Sequence, residues 1–393
     1  MKISIKKLYM YILITLYVLM WIPGASILNY VDELLTLMLL PYMIINFRVL
    51  LLKSRLVVMG TLGFLLIGLI STYFSGINQP FIAIVSDFFT FIKFPIVYLY
   101  FRYLLTKQNS IYFLNTLYTL SKFVVIIAFI CCLVNYAFEI GMTYDVRFGI
   151  GSFRFIYNNP GFFLALMVVC YSLLNYYNNF GDFKYKILAI LNMAATLRSV
   201  SFGVIALLIV LSVFVGRNLR LYHLFFLLPV IVLVGNGGIN TYFGDAETPR
   251  NLLFQGGIKV FQQFFPLGAG FASYGSNAAY MYYSPLYFQF GFHHIWGLSL
   301  EYGHIANDNF WPMIFAQFGL IGSILFILMI IGIFKDIFFN SMYKNQMVSL
   351  SLIIGYLLIS SVGANIITGV LGVSMISVYA SMIHALDDTE MNF

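Results

Sequence analysis

The chain has 393 residues, of which 61% are hydrophobic, 19% aromatic and only 9% charged. That is too little polar surface for a water-soluble domain of this length, and it makes a bilayer the natural solvent. A net charge of +7 does not point to nucleic acid, because most of the cations fall at the ends of apolar runs, where they set membrane orientation.

In lipid an open sheet edge leaves backbone groups unpaired, so the expected fold is all-α, a polytopic transmembrane bundle. Runs of the length a bilayer requires recur along the whole chain. They are placed near residues 8–28, 31–47, 56–74, 81–101, 121–140 and 159–177, then near 185–198, 200–216, 221–236, 309–334, 347–365 and 366–385, which makes about twelve spans. The first run follows Lys2, Lys6 and Lys7 without a small-residue cleavage site, so it reads as an uncleaved first helix. Cys131, Cys132 and Cys170 lie inside apolar runs with no CxxC or His-rich spacing, so neither a disulfide framework nor a zinc site is expected.

With the N-terminus inside, the positive-inside rule is met by the N-terminal lysines, Arg48, Lys53, Arg55, Arg102, Lys107, Lys122, Lys184, Lys186, Arg217, Arg220, Lys335 and Lys344. Both termini are then cytoplasmic. Two outward segments stand out by length, residues 141–158 and residues 237–308, the second rich in aromatic and glycine residues, so that parts of it are candidates to re-enter the membrane. No linker or fixed-period repeat divides the chain, and residues 1–393 read as one membrane domain.

Topology leaves Lys93, Arg147, Arg154, Arg198, Arg250 and Lys259 unexplained. Arginine is always charged and matches phosphate oxygens bidentately, so dispersed outer arginines fit a diphosphate or acidic-sugar ligand. The plain alternative makes them loop staples on Asp145, Asp245 or Glu247, or headgroup anchors. Lys93, six residues after Asp87, reads as one half of a buried packing pair. The stretch HHIWGLSLEYGHIANDNFWPMIFAQFGLIG, residues 293–322, collects His293, His294, Glu301, His304 and Asp308 before a strongly apolar run. A carboxylate or imidazole there is placed to take a proton from an attacking hydroxyl. Asp308 also suits a helix N-cap, and the two histidines suit a loop surface. PLGAGF, residues 266–271, lacks the strand and remaining motif of a nucleotide loop and reads as a tight turn.

Four pieces in order, RFIYNNPGFFLAL, TLRSVSFG, an arginine followed by FFPLGAGF, and NDNFWPMIFAQFGLIG, make the second half of the chain resemble the bacterial O-antigen polymerases of the Wzy type and their relatives, the O-antigen ligases. The resemblance covers Arg147 to Gly322. It implies a GT-C-like membrane glycosyltransferase in the bacterial cytoplasmic membrane that moves glycan from undecaprenyl diphosphate to a sugar hydroxyl on the outer face, with no cofactor and no required metal. It also implies membrane lipid, a chain-length regulator and a flippase as partners, alongside lipid-linked oligosaccharide donor and acceptor. Arg154, Arg198 and Arg250 match the diphosphate-holding arginines, and Arg147 matches less closely. The ligases usually carry a His-Asn type motif before the late helix. Asn307, Asp308 and Asn309 stand there instead, which favours a polymerase and leaves the base open between Asp308 and His304. The site expected from sequence is therefore Arg250, Asp308 and His304 for catalysis, with Arg147, Arg154, Arg198, Lys259, Glu301 and Asn309 around the substrate. A ligase-like transferase and a lipid-linked oligosaccharide flippase or transporter are the competing readings.

Overall fold

The computed structural model describes residues 5–24, 30–214, 247–303, 305–339 and 343–387. In chain order the helices are α1 (Ile5–Leu19), α2 (Val31–Ile45), α3 (Phe47–Lys53), α4 (Arg55–Phe74), α5 (Phe81–Leu99, continued by a π turn at Tyr100–Leu104) and α6 (Lys107–Phe138). A two-stranded hairpin, β1 (Thr143–Arg147) and β2 (Ile150–Phe153), precedes α7 (Pro160–Tyr177), α8 (Phe183–Ala195) and α9 (Ser199–Phe214). The second half holds α10 (Pro249–Gln263), α11 (Asn277–Met281), α12 (Pro285–Gln289), α13 (Phe310–Phe334), α14 (Asp336–Phe339), α15 (Lys344–Ser361) and α16 (Val370–Leu386). The chain is an all-α membrane protein with one small hairpin.

Among the described residues, α4, α5 with its π turn, α6, α7 and α13 are the 5 helices long and apolar enough to cross a membrane. The pair α2 and α3 makes a sixth if counted together, but it bends by 86° at Asn46. Fewer helices therefore meet the full requirement than the sequence pattern suggested. The runs at 185–198 and 366–385 do form helices, yet the 13 residues of α8 rise only about 20 Å against a hydrocarbon core of about 30 Å. The run at 221–236, and residues 237–246 of the second long segment, lie outside the described residues.

Helix α6 has 32 residues, about 48 Å of rise, because it starts at Lys107 rather than near 121. Lys122 thus sits within a helix, bonded to the buried Asp182 at 2.9 Å, and not in a connecting loop. Segment 141–158 also departs from an open loop. Phe148 and Gly149 occupy the hairpin turn with φ of 54° and 76°, the sign pattern of a type I′ turn. Tyr136 Oη donates to Gly151 O at 3.0 Å, and Ser152 Oγ donates to Thr196 O at 2.7 Å, so the hairpin is held on α6 and on the end of α8.

The feature that organises the second half is a break in α13. Gly319 has φ 59° and ψ −159°, outside the helical region, and a Cβ there would stand 2.3 Å from Pro266 O. The segment after α10 enters this break. Ala269 N and Gly270 N donate to the released carbonyls of Ala316 and Gln317, both at 2.8 Å, and Leu320 N donates to Pro266 O at 2.9 Å. Non-helical backbone survives at membrane depth only when its polar groups are satisfied by protein, and here they are. Helix α4 completes the cradle. Ser71 Oγ donates to Leu267 O at 2.6 Å, Thr72 Oγ1 accepts from Phe271 N at 2.9 Å, and Gly68 leaves room for the Phe271 and Phe318 rings that a Cβ would meet at 2.5–2.7 Å.

At the opposite end of α13, Arg102 is bonded to Asp336 (Nε to Oδ2, 2.9 Å) and to Asp387, while Lys107 Nζ donates to Asp387 O at 2.6 Å. These charges fasten α5, α6, α14 and the end of α16 to one another.

Candidate functional site

Residues far apart in the chain are gathered at one end of the bundle. Tyr356 Oη on α15 donates to Gly161 O at the start of α7, just beyond the hairpin, at 3.1 Å. One turn further along α15, Ser361 Oγ accepts from Trp311 Nε1 at 3.0 Å. That chain of contacts places the hairpin, the start of α7 and the start of α13 at the same end, and with them the two groups of arginines.

The first group is Arg250, Asp308 and Asn309. Helix α10 begins at Pro249, whose fixed φ suits the first helical position, so Arg250 lies in the first turn. Its Nε and Nη2 both donate to Asp308 Oδ2, at 3.1 and 2.7 Å. The side chains are 36% and 24% exposed, so the pair is open to an incoming ligand. Asn309 is buried and its Nδ2 donates to Arg250 O at 3.0 Å. It positions the α10 start. The N-cap position of α13 is Asn309, with no side-chain cap bond, so capping does not explain Asp308.

Below this pair runs an apolar groove of about 330 Å³, lined by Phe254, Gly257, Ile258 and Phe261 of α10 and by Trp311, Pro312 and Phe315 of α13. Relative to Arg250 the α10 residues fall at i+4, i+7, i+8 and i+11, one helical face. The groove therefore follows α10 for about 10 Å, from Phe254 to Phe261, and Arg250 lies one helical turn before it on the same face.

The second group is built on the hairpin. Asp145 Oδ2 accepts from Arg147 Nε at 3.0 Å and lies 3.9 Å from Arg198 Nη2. Burial works to raise the Asp145 carboxyl, but the Arg147 hydrogen bond and the charges of Arg198 and Arg147 hold it below its ordinary value. The Arg198 guanidinium sits 4.8 Å over the Tyr144 ring, and its Nε is buried without a hydrogen-bond partner. Two cations share one carboxylate here, which leaves a net positive site with an unused donor. Arg154 donates from Nη2 to Gly141 O at 3.1 Å and closes the base of the hairpin.

The remaining residues expected at the site make no hydrogen bond or ion pair with Arg250 or Asp308 among the described residues. Lys259 is exposed on α10, about 13 Å along the axis from Arg250. Glu301 is exposed in a turn, and His304 lies outside the described residues. The His293 and His294 rings lie with centroids 3.8 Å apart, tilted by 47°, and His294 is exposed.

The expected Asp87–Lys93 pair does not form. Six residues on a helix turn through about 600°, which puts the two side chains roughly 120° apart around α5. Asp87 Oδ2 instead accepts from Ala272 N at 2.6 Å, in the segment that enters the break of α13. Lys93 Nζ pairs with Asp32 at 2.6 Å and Glu33 at 2.7 Å on α2. Sequence reasoning also missed the groove. Its signal was present as the apolar i+4, i+7, i+8 and i+11 positions after Arg250, inside a segment read as loop. Tyr144 carried no comparable signal, because its role depends on α8 ending beside the hairpin.

No family model, curated protein or solved structure matches the chain.

Proposed function

We propose that the chain is a surface-polysaccharide polymerase that transfers undecaprenyl-diphosphate-linked glycan onto a lipid-linked repeat unit at the outer face of the bacterial cytoplasmic membrane. The observation that carries this reading is the Arg250–Asp308 pair one helical turn before the apolar groove between α10 and α13, on the face of α10 that lines it. A cation at the mouth of an apolar channel suits a ligand with an anionic head and a hydrocarbon tail, and a lipid diphosphate is that kind of ligand. In this reading about twelve spans of a GT-C-like fold carry both termini on the cytoplasmic side, and the bundle end with the hairpin faces outward.

The chemistry follows from an exchange of partners. An arriving diphosphate competes with Asp308 for the Arg250 fork, which ordinarily holds the carboxylate by two hydrogen bonds. Arg250 then neutralises the charge that builds on the diphosphate as the bond from the sugar anomeric carbon to the phosphate oxygen breaks. The acceptor hydroxyl oxygen forms the new bond to that carbon, and its proton passes to the released Asp308 carboxylate. The leaving diphosphate keeps the electron pair. Arg147 and Arg198, with the unused Nε donor on Arg198, supply a second anion site for the other lipid-linked substrate. The test is a gel of surface polysaccharide from a deletion strain complemented with wild type, Arg250→Ala or Asp308→Asn. Loss of the ladder with a single repeat unit still displayed supports polymerase; a full ladder from both variants overturns it.

One observation favours a second reading, a lipid-linked oligosaccharide flippase. Discontinuous helices and re-entrant segments at membrane depth are characteristic of transporters, and α13 is broken at Gly319 around an inserted segment. Loss of all surface glycan with lipid-linked units trapped inside the cell would establish that alternative.

A further inference from the structure

Helix α2 places two adjacent acids in its first turn, Asp32 and Glu33, and α5 brings one cation to them. Lys93 is 4% exposed and Asp32 2%, while the Glu33 side chain is 30% exposed. The ammonium bonds one oxygen of each acid, Asp32 Oδ2 and Glu33 Oε1. The other two oxygens, Asp32 Oδ1 and Glu33 Oε2, are both buried and have no hydrogen-bond partner. The two carboxyl groups thus meet at a single ammonium, 2.6 and 2.7 Å from it.

With all three side chains ionised the cluster would carry one uncompensated negative charge among apolar helices. An unpaired buried charge is so costly that such groups neutralise instead. The amino end of α2 contributes partial positive charge, but none of its backbone N–H groups reaches either orphan oxygen. The charged groups acting on Glu33 are Asp32 and Lys93. The neighbouring elements bring Tyr9 and Tyr100, which gather around Tyr42 further along α2, and Tyr379 of α16, whose hydroxyl donates to Ile333 O. Arg102 of the π turn is taken by Asp336 and Asp387, and on α3 Arg48 and Lys53 are exposed. None of them supplies the missing positive charge. Two adjacent carboxyl groups that share a single cation are an arrangement in which the pair holds one proton.

We propose that Asp32 and Glu33 form a proton-binding site inside the bundle, holding one exchangeable proton between them with Lys93 as counter-ion. This inference is independent of the glycan-transfer reading. Glu33, the more exposed of the pair, is the route of exchange, and the counter-ion Lys93 lies on the same helix, α5, as Asp87, which holds the segment inserted in α13. Ionisable groups kept inside a membrane protein commonly mark proton sites.

Infrared difference spectroscopy of the full-length protein in lipid nanodiscs tests it, comparing water with deuterium oxide at neutral pH. Wild type is expected to show a protonated-carboxyl band that shifts on deuteration. Asp32→Asn and Glu33→Gln each leave one acid for one lysine, so each is expected to lose that band. Lys93→Met removes the counter-ion and is expected to raise it roughly twofold, as a second proton is bound; if that variant does not fold, the two amide variants decide alone. Any constant contribution from Asp87 cancels between variants. Equal intensity in wild type, Asp32→Asn and Glu33→Gln would overturn the proposal. So would a band that appears only in sodium-free buffer, which would assign the site to a metal cation.

Discussion

Replacing Arg250 tests the proposed transfer at little expected cost to the fold. Its ion pair with Asp308 is 36% and 24% exposed, so its net contribution to folding is about 0–1 kcal/mol. The Asn309 bond to the start of α10 uses the backbone carbonyl of residue 250 and survives truncation of the side chain. Arg250→Ala is therefore expected to leave membrane abundance and thermal unfolding nearly unchanged. If the guanidinium stabilises a departing diphosphate, its loss slows transfer by roughly 10²–10³, about 3–4 kcal/mol in the barrier. Arg250→Lys keeps the charge without the fork and falls between. The assay is a time course of polymer growth by purified protein on lipid-linked repeat units, with unfolding measured on the same preparations. Residues that act as a unit are not additive, so Arg250→Ala combined with Asp308→Ala is expected to cost little more than the worse single variant. A rate within threefold of wild type for Arg250→Ala, or a loss of rate matched by a loss of folded protein, refutes the reasoning.

Filling the groove with Ile258→Trp, at a position 43% exposed, is expected to raise the apparent KM for the lipid-linked donor with kcat and stability little changed, read from initial rates against donor concentration. Asp87→Ala strands the buried Ala272 N–H and is expected to cost about 1–3 kcal/mol in thermal or denaturant unfolding, whereas Asp87→Asn keeps an acceptor and costs less. Gly319→Ala meets Pro266 O and Gly268 N at 2.3 and 2.5 Å; the left-handed backbone alone adds about 1–3 kcal/mol, so loss of folded protein in membranes is expected. Because the folded Asp145 carboxyl is held below its ordinary value, its contribution is present above about pH 4 and is lost as pH falls through the folded value. Wild type should accordingly lose stability over that acidic window, and Asp145→Asn should show a flatter profile in unfolding scans from pH 6 to 3.

The helices were legible because their signal is local. Apolar runs and flanking cations predict a bundle from composition and spacing alone, and α4, α5, α7 and α13 lie where those runs are. What could not be read was decided by partners distant in sequence. The hairpin at 143–153 has a Phe-Gly turn rather than Asn-Gly, and its seat on Thr196 is 44 residues away from Ser152. Lys93 finds its acids 60 and 61 residues earlier, and nothing on α5 announces them. The Arg250–Asp308 association spans 58 residues, yet both members stood out in sequence, Arg250 as an outer cation that topology leaves unexplained and Asp308 as an acid just before a strongly apolar run.

The break in α13 and the groove beside it have one cause. Helices α10 and α13 are joined at their amino ends by Arg250, Asp308 and Asn309. At the carboxyl end of α10, Pro266 O receives Leu320 N, and Gly270 N reaches Gln317 O. Between these two fastenings Gly257 faces Pro312 with no side chain to spare, since a Cβ there would stand 2.8 Å from that of Pro312. Large rings on either side, Phe254 and Phe261 against Trp311 and Phe315, line the space left open. An unbroken α13 would offer no released carbonyls at Ala316 and Gln317 and no free N–H at Leu320, so the segment after α10 would have nothing to hold at membrane depth. The lower end of α10 would then be untethered and the groove would have no fixed width. The glycines at 268, 270 and 319 thus shape the apolar groove without lining it, and a ligand entering it would meet a groove already formed.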